Sequence, residues 1–245
     1  MTDSITLVSL NVERRRHLDT VEEFLKARMP DIVCFQELAE EDVGHFTKLL
    51  GASSLYAPMT KETERDGDVV THGLALLSRL PINHSSITYY VGKKETLPTS
   101  REENSGTYNN ANRPLIVANV GTGSRECTIA TTHFTWSPDG KVTDEQKKDM
   151  QRLLELLASE TELVLSGDFN APRGGEMFAA LASRYKDNIP EEYTTSLDQA
   201  LHRAAPIEKM VDGLFTTSHY KVDNVELVSG VSDHQAISAS ISRSI

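Results

Sequence analysis

The chain has 245 residues, 38% of them hydrophobic and 25% charged, with a net charge of −11. That length can bury one large core, and the acid excess opposes the broad basic face that grips long nucleic acid. Two cysteines exclude a disulfide framework, and no apolar run approaches the roughly 20 residues of a membrane helix.

The opening Met1-Thr2-Asp3-Ser4 lacks a signal-peptide pattern, which predicts a cytoplasmic protein. No repeat or linker divides the chain, so one domain over 1–245 is expected. In chain order, a strand over 5–10 (ITLVSL) leads to a helix marked by an Asp19/Glu22 capping box, with Val21, Phe24 and Leu25 on one face. A strand over 31–36 follows, holding Cys34, then a helix with the stripe Val43, Phe46, Leu49 and Leu50, closed by Gly51. After a strand at 74–78, residues 92–113 are polar and unpatterned, the mark of a surface or substrate loop.

Strands at 114–120 and 127–133 come next, the second holding Cys127. Thr143 and Gln146 open a third helix whose Met150, Leu153, Leu154 and Leu157 face inward. A strand over 162–166 and a helix over roughly 174–184 precede strands at 213–217, 224–229 and 235–242. In the last, Ile237, Ala239 and Ile241 alternate with period two. Many strand-to-strand connections are too short for a crossover helix, which predicts largely antiparallel sheets in a layered α/β architecture.

Polar side chains recur where these apolar strands end. Asn11 closes "LVSLN", Glu37 closes "DIVCFQE" and His133 closes "CTIATTH". Asp168 and Asn170 follow "LVLSG", Asp212 leads into "GLF", and Asp233 and His234 precede the final strand. Each alone has an ordinary reading as a turn or a cap. Together they form a cysteine-free set of hard oxygen donors and imidazoles, suited to Mg²⁺ or Mn²⁺. Such a set fits metal-assisted attack of water on a phosphoester.

The segments "SLNV", "PDIVCFQE", "GLALLSRLPI", "TTHFTWSP", "LSGDFNAP", "VDGLF" and "VSDHQAI" resemble the endonuclease/exonuclease/phosphatase superfamily. It includes pancreatic-type deoxyribonucleases, AP endonucleases, neutral sphingomyelinases and inositol polyphosphate 5-phosphatases. The resemblance implies a four-layered α/β sandwich, two packed mostly antiparallel mixed sheets flanked by helices. It implies Glu37 as principal metal ligand, with Asn11 and Asp233 beside it. Asp168 would position the attacking water and Asn170 would help hold the phosphate. His234 would contact a phosphate oxygen, oriented by Asp212, and His133 matches the second histidine of the deoxyribonuclease and sphingomyelinase branches.

One departure concerns that histidine. Where relatives carry a glutamate before the "GLALLS" strand, this chain has Thr71 and His72, leaving Glu64 or Asp68 as substitute partners for His133. The Tyr and Asn pattern of AP endonucleases is also missing. Arg14 and Arg15, in the run Arg14–Arg16, and Arg113 are candidate phosphate contacts, and Trp136 could stack on a base or cover a lipid. The expected activity is Mg²⁺- or Mn²⁺-dependent phosphodiester hydrolysis on a nucleic-acid or nucleotide substrate, by a monomer. The alternatives are a phosphomonoesterase on an inositol or sugar phosphate, and a silent binding module.

Overall fold

The computed structural model describes residues 4–63, 67–101 and 110–244. Strand β1 (Ile5–Asn11) shows how the layers arise. Successive side chains of a strand face opposite ways, so Ile5 and Leu7 enter one core while Val8 and Leu10 enter another. Strand β2 (Ile32–Ala39) repeats the division, with Ile32 and Cys34 on one side and Val33 and Phe35 on the other. Burial on both faces is why these strands read as continuous apolar runs.

The first sheet has seven strands in the order β12-β13-β1-β2-β4-β3-β6. Its other members are β3 (Ser53–Thr63), β4 (Val69–Ser78), β6 (Thr99–Arg101), β12 (Tyr220–Val228) and β13 (Ala236–Arg243). The second has six, ordered β10-β11-β9-β8-β7-β5. They are β5 (Ile82–Val91), β7 (Arg113–Val120), β8 (Cys127–His133), β9 (Val164–Asp168), β10 (Lys186–Asp187) and β11 (Asp212–Thr216). The sheets pack face to face over Leu7, Leu74, Ile116, Ile129, Val164 and Ile237.

Helices α1 (Leu18–Arg28) and α2 (Val43–Leu50) cover the outer face of the first sheet. Helices α3 (Asp144–Leu157) and α4 (Glu176–Ala182) cover that of the second. The result is a four-layered α/β sandwich. Pairing is mostly antiparallel, with β1–β2, β8–β9 and β3–β6 parallel. Cys34 and Cys127 are buried and free, and burial pushes their thiols up, to about 11 and about 12.

Several sequence expectations are corrected. Strands β3 and β5 were not anticipated, and β4 begins at Val69 rather than 74. β5 lies at a sheet edge with a mostly exposed, polar surface, so it lacks the apolar signature of its neighbours. The Asp19/Glu22 capping box does not form. His17 stands at the N-cap without a side-chain bond, and Glu22 instead meets Lys26 and His45. The supposed loop 92–113 holds β6, and Asn112 Nδ2 donates to the Lys93 and Thr96 carbonyls. Residues 102–109 of that stretch lie outside those described. Thr143 does cap α3, accepting the Gln146 N–H, and Gly51 closes α2 with a positive φ.

Two contacts locate the strand ends. Gly167 of β9 pairs with Thr132 of β8 so closely that a Cβ there would meet the Thr132 carbonyl oxygen at 2.0 Å, at φ +151°. Asp31 receives the Thr6 N–H at 2.9 Å and the Arg125 guanidinium at 2.9 Å, tying β1 to the start of β2. Burial opposes the Asp31 charge, but the Thr6 donors and Arg125 outweigh it and lower its pKa.

Gly167→Ala should therefore destabilise the protein by about 3 kcal/mol, because only backbone displacement can relieve the contact; the denaturant midpoint reports it. Asp31 is more acidic folded than unfolded, so its contribution is full above the unfolded carboxylate pKa and fades as pH falls through the lower folded value. Asp31→Asn should flatten stability across that acid window, as measured by melting temperature against pH.

Candidate active site

Three strand ends of the second sheet set Asp212, Asp168 and His133 in a row. Asp212 pairs with Asp168 across the antiparallel β11–β9 ladder, and Asp168 with His133 across the parallel β9–β8 ladder. The first sheet contributes Asn11 at the end of β1, paired with Gln36 of β2. The next residue, Glu37, has φ +59° within a bulge between Phe35 and Leu38. A left-handed glutamate is a strained choice, and such strain persists where the surroundings over-determine it.

Asn11 joins the two sheets. Its Nδ2 donates to Asp168 Oδ2 at 3.1 Å and to Glu37 Oε1 at 3.3 Å, while its Oδ1 accepts the Glu13 N–H at 3.0 Å. Asp168 Oδ2 also lies 3.4 Å from His133 Nε2 and 3.9 Å from His234 Nε2. Its Oδ1 accepts the Asn170 N–H at 2.8 Å, and Asn170 Nδ2 donates to the Phe134 carbonyl at 3.0 Å. His234 Nδ1 bonds Asp212 Oδ2 at 2.7 Å, which turns its Nε2 toward Asp168.

Electrostatics differ among these groups. Burial opposes the Glu37 charge, but His133, Arg14 and the Asn11 amide hold it down to about 2. Burial raises Asp233 to about 6, with Glu13 and Glu37 adding to the rise against His234. Burial and the neighbouring Asp212 raise Asp168. Burial opposes charge on His234, but Asp212 prevails and raises it well above the ordinary range. Burial lowers His133.

A cavity of about 380 Å³ opens over this row, and Asn11, Glu37, His133, Asp168, Asn170 and His234 all line it. Asp233 lines it too, while Asp212 stands behind His234. Of the arginine run, Arg14 turns inward, with its Nε 3.0 Å from Glu62 Oε2 and 3.8 Å from Glu37 Oε2. Arg15 does not reach the cavity; it is half exposed and pairs with Glu41 and Asp42. Arg16 pairs with Glu13. Arg113 lies buried in the wall, its Nη1 donating to the His133 carbonyl at 3.4 Å, and Trp136 forms part of the rim.

The carboxylates considered as substitute partners for His133 are Asp68 and Glu64. Asp68 is exposed and off the cavity, and Glu64 lies outside the described residues. Among the described residues His133 Nδ1 has no hydrogen-bond partner. Glu62 and His72 line the cavity unforeseen by the sequence reading. Glu62 was missed with its strand, because "SSLYAPMTKET" carries Pro58 and no clear alternation.

The donor set suits a hard divalent cation. Glu13, His17 and Asp233 bring ligand atoms within 4.8 Å of one another, as do Asp168, Asp212 and His234. Glu37 and Asn11 stand beside these groups, and a bound cation would offset the burial that raises Asp233 together with the repulsion from Glu13 and Glu37.

The endonuclease/exonuclease/phosphatase family profile matches residues 8–234. The chain belongs to that family. The endonuclease/exonuclease/phosphatase family includes nucleases, phosphodiesterases and phosphatases, and its enzymes generally use divalent metals. The chain is similar in fold to an endonuclease/exonuclease/phosphatase of Beutenbergia cavernae, with 15% identity and a TM-score of 0.75 over 98% of this chain and 72% of that one. It is similar also to the human Nocturnin catalytic domain with bound sulfate, at 19% identity and TM-score 0.71, covering 98% and 94%. A third is the Bacteroides thetaiotaomicron mannosyl-6-phosphatase, at 13% identity and TM-score 0.68, covering 97% and 99%. No curated protein matches the chain in sequence.

Glu62→Ala would leave the Arg14 guanidinium buried without its nearest counter-charge among the described residues. The expected loss is about 3 kcal/mol of stability in chemical denaturation, and Glu62→Gln, which keeps a hydrogen-bond acceptor, should lose less.

Proposed function

We propose that this protein is a divalent-metal-dependent phosphodiesterase acting on a nucleotide or a nucleic-acid end. The observation that carries the reading is the position of Asp168 Oδ2, within 3.1 Å of Asn11 Nδ2 and facing Nε2 of both His133 and His234. A carboxylate so placed, with its pKa raised by burial, is a base for an attacking water.

Asp168 orients the water through Oδ2 and takes its proton, while Oδ1 stays occupied by the Asn170 N–H. His234, held by Asp212 and charged through it, presents Nε2–H to a phosphoryl oxygen and offsets the negative charge that develops there. His133 presents its Nε2 from the opposite side. Glu37, Asn11 and Asp233 would hold Mg²⁺ or Mn²⁺, which supplies positive charge that polarises the phosphoryl group. Arg14 and Arg113, on the cavity wall, are the further phosphate contacts, and Trp136 the apolar one.

One observation favours a phosphomonoesterase acting on an inositol or sugar phosphate as a second reading. The cavity is about 380 Å³, near the small end for ligand pockets, and suits a compact ester better than a duplex.

The test is hydrolysis of a chromogenic phosphodiester, short single-stranded DNA, RNA and an inositol phosphate, with Mg²⁺ or Mn²⁺ and then with chelator. Diester turnover should require metal, and Asp168→Asn and His234→Ala should each lower kcat by about 10³-fold with an unchanged melting temperature. Near-normal turnover in either variant would overturn the assignment. Hydrolysis of the monoester alone would move it to the second reading.

A further inference from the structure

The outer wall of the cavity comes from the loop 196–211, a stretch without regular structure that the sequence analysis left unassigned. It is tightly held. Ser196 Oγ accepts the Val211 and Asp212 N–H groups at 3.0 and 3.1 Å. The Asp198 carboxylate accepts the N–H groups of Ala200, Leu201 and Gly230. Bonded in this way, the loop can present side chains to a ligand with little ordering cost.

Three of the side chains it presents to the cavity are His202, Arg203 and Lys209. Lys209 Nζ donates to the Asp139 carbonyl at 2.7 Å, joining this loop to the segment after β8. That bond uses one of three ammonium donors and leaves the charge unmatched. Among the described residues, no carboxylate pairs with Lys209. The Asp139 carboxylate itself pairs with Lys141 at 3.2 Å.

His202 stands with its ring centroid 6.4 Å from that of His234. Its Nδ1 accepts the Ala204 N–H at 3.3 Å, which leaves the ring proton on Nε2 as a donor. Cationic and donor groups are thus gathered next to the reacting centre of a chain whose net charge is −11. A structural clasp explains the Lys209 contact to Asp139. It does not use the Lys209 charge, which stays unmatched beside the donor-set His202 on the same wall.

We propose that this wall is a second anion subsite. The substrate is a compact phosphate ester carrying another anionic group, phosphate or carboxylate, bound by Lys209 with Arg203 and His202. The scissile phosphate meanwhile lies between His133 and His234. This deepens the phosphoesterase reading and rests on it for the location of the scissile phosphate.

The test is calorimetric titration of the intact protein, at fixed free Mg²⁺, with propylphosphonate and propane-1,3-bisphosphonate. These differ by one anionic group, and their C–P bonds resist hydrolysis. The bisphosphonate should bind at least about tenfold more tightly, the scale of one charge-assisted contact. Lys209→Met should bring the ratio toward one while leaving propylphosphonate affinity unchanged; Lys209→Arg should keep most of the preference. Arg203→Ala, at an exposed position where folding is not at stake, should reduce it in part.

Equal affinity for the two ligands in the unmodified protein would overturn the proposal, as would a preference untouched by both Lys209→Met and Arg203→Ala. Because binding is read without turnover, such a failure leaves the hydrolase reading standing. Absence of metal-dependent hydrolysis would sink that reading instead.

Discussion

Asp168, Asp212 and Asp233 are carboxylates drawn out of water into one small volume, with the partly exposed Glu37 beside them, and the site is organised around the cost of keeping this charge together. Each has a different answer to that cost. Glu37 is compensated by His133, Arg14 and the Asn11 amide, and stays charged. Asp212 is spent on His234, whose charge it sustains. Asp168 is held by a backbone N–H, an amide and two imidazoles at longer range, and burial with the neighbouring Asp212 still raises it. Asp233 is raised by burial to about 6, with Glu13 and Glu37 adding to the rise.

Asn11 carries much of this arrangement without adding charge. It stands where β1 of one sheet meets β9 of the other, and it gives both amide protons to carboxylates from different sheets. A longer or charged side chain there would alter both carboxylates at once. The parallel β8–β9 pairing that places His133 beside Asp168 depends in turn on Gly167, where Thr132 leaves no room for a Cβ. The glycine of "SGDFN" thus serves the approach of two strands, and the aspartate after it serves the cavity.

Much of the site was legible from sequence because its residues end apolar strands, and strand ends of one sheet are neighbours. Asn11, Glu37, His133, Asp168, Asn170, Asp233 and His234 were named on that ground or through the family resemblance, and the structure brings all of them to one cavity. Less legible was the direction of each arginine in "ERRRH". Arg14 turns inward because Glu13 and Arg14 both adopt positive φ, a backbone choice that no side-chain pattern announces. Arg15 is carried outward to Glu41 and Asp42 by the same geometry.

The sequence by itself determined the layered α/β class, the central strands and the polar side chains gathered at the candidate site, because burial imposes periodicity and those residues stand where the apolar runs end. Tertiary structure alone decided strand β3, the edge strand β5, the Glu62–Arg14 pair, and the wall of His202, Arg203 and Lys209. Those features depend on which strands and loops lie side by side across long sequence separations, and neither periodicity nor motif spacing encodes that distance.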